Sequence, residues 1–272
     1  MPQKYLRRSG LPLLVRYSGR TTLPQDPPAK AKGQPVVCLH DAGLQSSVFE
    51  DVRAALGPES GAIAFDLPGH GRSGSLDALP SIEEMTELAV WVAEACRLER
   101  PILLGHGMGA LIALEWARAH GDAVEGLVLC GVGEALGIPD EAIETMRKVT
   151  RGKAPRPFDP SRLSKDAGPD LMKRAYMEGI QTDPRATLVD LEASRRWADA
   201  FEADVAESAH EVDRPARIVC GSAEHADGRE RAEQLAQVLG AHFVPVPHAS
   251  HLLPLEQPDA LASEVRALAG GA

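Results

Sequence analysis

Aromatic side chains are scarce: five Phe, three Trp and three Tyr make up 4% of the 272 residues. A chain of this length therefore has to build its core from aliphatic groups. Positive charge is also short, with 29 Lys and Arg against 39 Asp and Glu and a formal charge of −10. That balance excludes the broad basic face on which nucleic-acid binding depends, so no nucleic-acid partner is expected. No apolar run is long enough to span a bilayer, which excludes a membrane-spanning helix, and no membrane partner is expected. The N-terminal Met-Pro-Gln-Lys-Tyr-Leu-Arg-Arg has no apolar signal-peptide core, and the expected location is the cytoplasm. Cys38, Cys96, Cys130 and Cys220 never fall into a C-x-x-C pair. Three of the four lie within or at the end of apolar runs, so buried reduced thiols are expected in place of a disulfide framework.

What is present is an alternation. Short continuous apolar runs at Val36–Leu39, Ala62–Phe65, Ile102–Leu104, Leu127–Leu129 and Ile218–Cys220 suit parallel strands buried on both faces. His242–Val246 is a further candidate, and Leu11–Tyr17 with a short preceding segment suits an antiparallel edge pair. Helical patterns lie between them. Ser81 and Glu84 form a capping box that opens a helix to about Leu98. Met108–His120 ends at Gly121 and Arg229–Leu239 at Gly240, both placed as terminating glycines. Pro258–Ala269 opens on a proline suited to a first turn. The fold class is α/β, with about eight mostly parallel strands and flanking helices.

The alternation stops after Gly133 and resumes at Pro215. Residues 134–212 carry helical patterns at Glu141–Val149, Asp170–Gly179 and Thr187–Ala206 but no buried strand. They are expected to form a helical cap inserted into a core of residues 1–133 and 213–272. Within it, residues 147–174 hold nine Lys or Arg and three Asp or Glu, a positive stretch on an acidic chain. It is either a solvated surface or a lid that draws anionic ligands.

In open α/β sheets the ligand site lies past the carboxyl ends of the strands. Those positions read His40-Asp41-Ala42-Gly43, Asp66-Leu-Pro-Gly-His70-Gly-Arg-Ser73, Gly105-His106-Gly107-Met108-Gly109, Gly221-Ser-Ala-Glu224-His225-Ala-Asp227 and Ser250-His251-Leu-Leu-Pro-Leu-Glu-Gln-Pro258. Taken in this order, the motifs resemble the α/β-hydrolase superfamily, in the capped branch of esterases, lactonases, C–C bond hydrolases and haloperoxidase-like proteins. The resemblance covers roughly 35–133 and 213–270, and the insertion resembles a cap by position only.

The resemblance implies roles position by position. His251 matches the catalytic histidine, and Glu224 matches the acid that orients it, with Asp227 as the alternative. The oxyanion hole would consist of the backbone N–H groups of Met108 and Ala42. Asp41 stands where glycine is common, and it either turns into its own loop or brings negative charge to the site. His40 and His106 match structural positions, so neither a metal nor a cofactor is expected.

Gly107 occupies the place of the nucleophile in Gly-x-Ser-x-Gly. Without a side chain it cannot form an acyl-enzyme, and loss of a serine nucleophile costs about 10⁶ in rate. Three readings follow. One is an enzyme on a small carbonyl or ester-type substrate, with neutral His251 as general base and backbone donors for the oxyanion. The second is a serine hydrolase made inactive by exchange to glycine. The third is a non-catalytic small-molecule binder. The expected partner is a small molecule, with an anionic one favoured if the basic stretch forms a lid, and a homo-oligomer is compatible with each reading.

Overall fold

Val36–Leu39 (β3) and Ala62–Phe65 (β4) are too short for helices and apolar at every position, and each is a strand buried throughout. The computed structural model describes residues 2–28, 32–75, 77–203 and 205–270. The other strands are β1 (Gln3–Arg8), β2 (Leu11–Tyr17), β5 (Ile102–His106), β6 (Gly126–Cys130), β7 (Ala216–Gly221) and β8 (His242–Val246). They form one sheet in the order β1-β2-β4-β3-β5-β6-β7-β8. β1, β2 and β4 pair antiparallel, and every pair from β4 to β8 is parallel. The eight mostly parallel strands match the expectation.

The helices are α1 (Glu50–Leu56), α2 (Ile82–Ala95), α3 (Met108–His120), α4 (Val132–Leu136), α5 (Asp140–Thr150), α6 (Pro169–Ile180), α7 (Pro184–Ala203), α8 (Val205–His210), α9 (Ala226–Leu239), α10 (Leu253–Glu256) and α11 (Pro258–Ala269). Aliphatic cores lie on both faces of the sheet. One joins Leu103, Leu127 and Ile218 to α2, α3 and α7, and the other joins Leu104, Val128 and Val219 to α1 and α11. All four cysteines are free and buried. Among the described residues no helix is long and apolar enough to cross a membrane.

Two helix ends differ from expectation. α2 stops at Ala95 because Arg97 adopts a left-handed φ of 56°, and the N–H groups of Arg97 and Leu98 cap Glu94 and Ala93. A non-glycine residue at that position leaves no sequence cue. Gly121 is not left-handed, with φ −51°, and continues α3 into a short 3₁₀ turn through Ala123. Gly240 does end its helix with φ 60°. Between β6 and β7 the described residues form helices and loops only, and the expected boundary at 133/134 cuts through α4. The helix expected over Thr187–Ala206 spans Asp204, which lies outside the described residues.

Candidate active site

β5 delivers the chain to a sharp turn at Gly107, with φ 54° and ψ −118°, from which α3 starts immediately. Gly105 and Gly109 make that turn possible by close approach. A Cβ on Gly109 would lie 2.0 Å from the carbonyl oxygen of Leu39, and one on Gly105 would lie 2.4 Å from the carbonyl oxygen of Gly109. The elbow backbone thus persists without its usual side chain, and glycine removes the cost of about 1–3 kcal/mol that a side chain would incur there.

The place of the absent side chain is filled from elsewhere. A Cβ on Gly107 would fall 1.9 Å from Oδ1 of Asp41, which comes from the loop after β3. Met108 N–H donates to that Oδ1 at 2.8 Å. Oδ2 meets His251 Nε2 at 3.0 Å and accepts from Arg162 Nη2 at 2.5 Å. Asp41 therefore turns into the site and not into its own loop, and it takes up the Met108 amide that was expected to face an oxyanion. His251 and Arg162 hold its carboxyl well below the usual aspartate value, although burial works the other way.

His251 is 1% exposed and faces three carboxylates. On its far side Nδ1 lies 3.0 Å from Glu134 Oε2 and 3.8 Å from Glu224 Oε1. The expected close pairing with Glu224 is corrected accordingly: Glu134 comes nearer, and Nδ1 makes a well-aligned hydrogen bond to neither. Glu224 also accepts from the Cys220 thiol at 3.2 Å. Asp227 stays exposed in the first turn of α9. Glu134 sits four residues past β6, at a carboxyl end the strand-end rule covers, so its position was the available signal.

These charges reverse the expected state of His251. Burial and Arg162 oppose protonation, but Glu134, Asp41 and Glu224 outweigh them and raise the imidazole to about 9. At neutral pH it is an imidazolium and hence an acid, not the neutral base first expected. His106 is neutral. Its Nε2 donates to the His251 carbonyl at 2.9 Å, and burial pushes it down to about 3. Donor atoms of Asp41, His106 and His251, and of Glu134, Glu224 and His251, lie within 4.8 Å of one another, close enough to share a cation. The Arg162 guanidinium, 3.8 Å from Glu134, already supplies positive charge there and opposes a second cation.

The Asp41 loop is held from both sides. His40 Nδ1 donates to the Asp41 carbonyl at 3.0 Å, while His40 Nε2 accepts from Leu67 N–H at 3.2 Å. From α7, Asp190 Oδ2 accepts from Gly43 N–H at 2.9 Å and meets His70 Nε2 at 2.7 Å. The other ring nitrogen of His70 faces the Pro68 carbonyl at 3.0 Å, so both nitrogens meet acceptors and the ring is charged. Sequence reasoning singled out neither Asp190 nor Arg162, because both reach the site only through packing of the helical segment. Above the loop lies a cavity of about 730 Å³ bounded by Ala42, Met108, Glu134, Arg156, Phe158 and His251, among others.

Comparison with known proteins agrees with this architecture. The profile described as "Alpha/beta hydrolase family" matches residues 36–264. The putative non-heme haloperoxidase of Mycobacterium phage D29 is 34% identical over 99 residues, covering 36% of this chain and 35% of that protein. The pimeloyl-[acyl-carrier protein] methyl ester esterase of Yersinia enterocolitica is 33% identical over 106 residues, 39% of each chain. The matched segments thus span well under two thirds of these relatives. A thermophilic esterase from Thermogutta terrifontis superposes with a TM-score of 0.77 at 22% identity, over 98% of this chain and 97% of its own. With its profile match spanning most of its length and the sheet, elbow and histidine loop in place, the chain belongs to the alpha/beta hydrolase family.

Proposed function

We propose that this chain hydrolyses a small ester or related carbonyl compound without a covalent intermediate, with Asp41 as general base and His251 as general acid. The observation that carries the reading is the Asp41 carboxylate. It fills the nucleophile's place above Gly107 and touches both the Met108 amide and His251. The esterase relatives support an ester-type carbonyl. Residues 134–212 act in this reading as a cap over the core of 1–133 and 213–272.

The substrate carbonyl oxygen displaces Asp41 Oδ1 from Met108 N–H, and Ala42 N–H serves as the second donor of the hole. Losing one donor makes the carboxylate more basic. Oδ1 then takes a proton from the attacking water while the new C–O bond forms. As the tetrahedral centre collapses, His251 Nε2–H leaves Asp41 Oδ2 and protonates the departing oxygen. The proton on Asp41 returns to Nε2, which closes the cycle with one water consumed. Glu134 and Glu224 hold the imidazolium, and Arg162 keeps Asp41 in place. A serine at 107 and Asp41 in its present position exclude each other, which favours this reading over a serine hydrolase altered only at residue 107.

The test is a screen of nitrophenyl esters and lactones, followed by single turnover in H₂¹⁸O. His251→Ala and Asp41→Asn should each lower kcat by at least about 10²-fold. Label should enter the product acid and stay out of the Asp41 peptide. With an imidazolium as the acid, the rate should hold through neutrality and fall above about pH 9; a neutral histidine base would instead lose rate below about 6.5. Label in Asp41 would replace general base with carboxylate nucleophile. Turnover surviving loss of either residue would place the chemistry elsewhere.

A further inference from the structure

We infer that the substrate carries one carboxylate besides its reacting carbonyl, and that Arg156 receives it. This rests on the same cavity as the proposed hydrolysis and adds the class of molecule it takes. Of the nine basic residues in 147–174, only Arg156 and Arg162 line the cavity. Arg162 is engaged by Asp41 and Glu134. Arg156 is half-buried and, among the described residues, donates only to neutral oxygens, the Thr182 carbonyl and, at 3.0 Å, Thr187 Oγ1. Asp183, whose field it feels, is held by Arg185 at 2.9 Å. Among the described residues no carboxylate lies within 4 Å of the Arg156 guanidinium, nor of the half-buried Arg231 on the same cavity wall.

Asp41, Glu134 and Glu224 meet Arg162 and His251, which leaves Arg156 and Arg231 as the cavity cations without a carboxylate partner among the described residues. Glu141, Asp159 and Asp227 also line the cavity, but all three are exposed, where water screens them. Arg156 lies beside the loop that carries Asp41, because a Cβ on Gly43 would lie 3.3 Å from its Nη2. A planar guanidinium on the cavity wall, each of whose Nη atoms keeps a second N–H beyond the bonds to Thr182 and Thr187, suits capture of a carboxylate. The apolar walls at Leu44, Ile138 and Phe158 suit a short carbon skeleton between the two functional groups.

The test separates binding from turnover. Glutarate binding is measured by calorimetry on the full chain, with glutaramide and inorganic phosphate as comparison probes. Wild type should bind glutarate at least 10-fold more tightly than either probe. Arg156→Gln should weaken glutarate by at least 10-fold and leave glutaramide unchanged. Arg156→Lys, which keeps the charge but not the planar fork, should bind glutarate more tightly than Arg156→Gln, and matching thermal unfolding midpoints of the two variants guard against a folding artefact. If the chain hydrolyses esters, the mono-nitrophenyl ester of glutarate should exceed nitrophenyl butyrate in kcat/KM, and Arg156→Gln should erase that difference. Equal glutarate affinity in wild type and Arg156→Gln, a loss seen only in Arg231→Gln, or preference for phosphate would each overturn the assignment. Glutarate binding without ester turnover would uphold the anion site and sink the hydrolytic reading instead.

Discussion

At the scale of single residues, the site rests on a trade between positions 41 and 107. Asp41 brings a carboxylate into a space that only glycine at 107 leaves open, and that carboxylate ties together an amide, an imidazolium and a guanidinium. Adding a side chain at 107 alone forces Asp41 away from all three. Gly107→Ser should therefore lower stability by about 1–3 kcal/mol, the usual cost of overpacking, and give no efficient esterase. Asp41→Gly with Gly107→Ser relieves the overlap and frees the Met108 amide. The double variant should hydrolyse activated esters at least about 10³-fold faster than Gly107→Ser and form an acyl-enzyme visible by mass spectrometry. A double variant no faster than the single one would mean that the remaining machinery no longer supports acyl transfer.

At the scale of elements, the helical segment reaches down to the loop that carries Asp41. Asp190 on α7 is fully buried and accepts from Gly43 N–H while paired with His70. The loop bearing Asp41 and Ala42 is thereby fixed by an element more than a hundred residues away in the chain. Asp190→Ala leaves an unpaired charged ring and a freed loop amide, and should cost about 3–5 kcal/mol. In the folded fraction, the Met108 amide proton should also move upfield in NMR spectra as Asp41 loses its fixed position. A stable variant with an unshifted Met108 amide would show that α7 does not position this loop. The capping box of α2 was readable because Ser81 does accept from Glu84 N–H at 3.2 Å, a local interaction. The α7 contact joins residues without any local pattern, and no periodicity announces it.

At the scale of the whole molecule, four buried histidines set opposing pH limits. His40 and His106 are held down to about 4 and 3 by burial, so the unfolded chain binds protons that the folded one refuses as pH drops below about 6.5. His251, raised to about 9, and His70, raised by Asp190 against the burial that opposes it, act oppositely: their stabilisation is full below about 6.5 and lost as pH rises through the folded values. Stability should therefore peak near pH 6.5 and fall on both sides. Chemical denaturation from pH 4 to 9.5 would measure it. His251→Gln should flatten the alkaline limb, and a limb unchanged in that variant would mean that His251 is not the group responsible.

The amino-acid sequence by itself determined the framework. Its continuous apolar runs specify strands buried on both faces, its glycines specify the elbow, and the order of strand-end motifs places His251, Glu224 and the Gly107 turn at one edge of the sheet. Those features are written in local spacing, where side-chain period and backbone sterics act directly. The direction in which Asp41 turns, the nearer approach of Glu134 to His251, the charge on that ring and the reach of Arg162 and Asp190 were decided only by tertiary structure. Each depends on distances between segments far apart in the chain. Coulomb energy and hydrogen bonding change within a few ångströms, and spacing along the sequence carries no record of those distances.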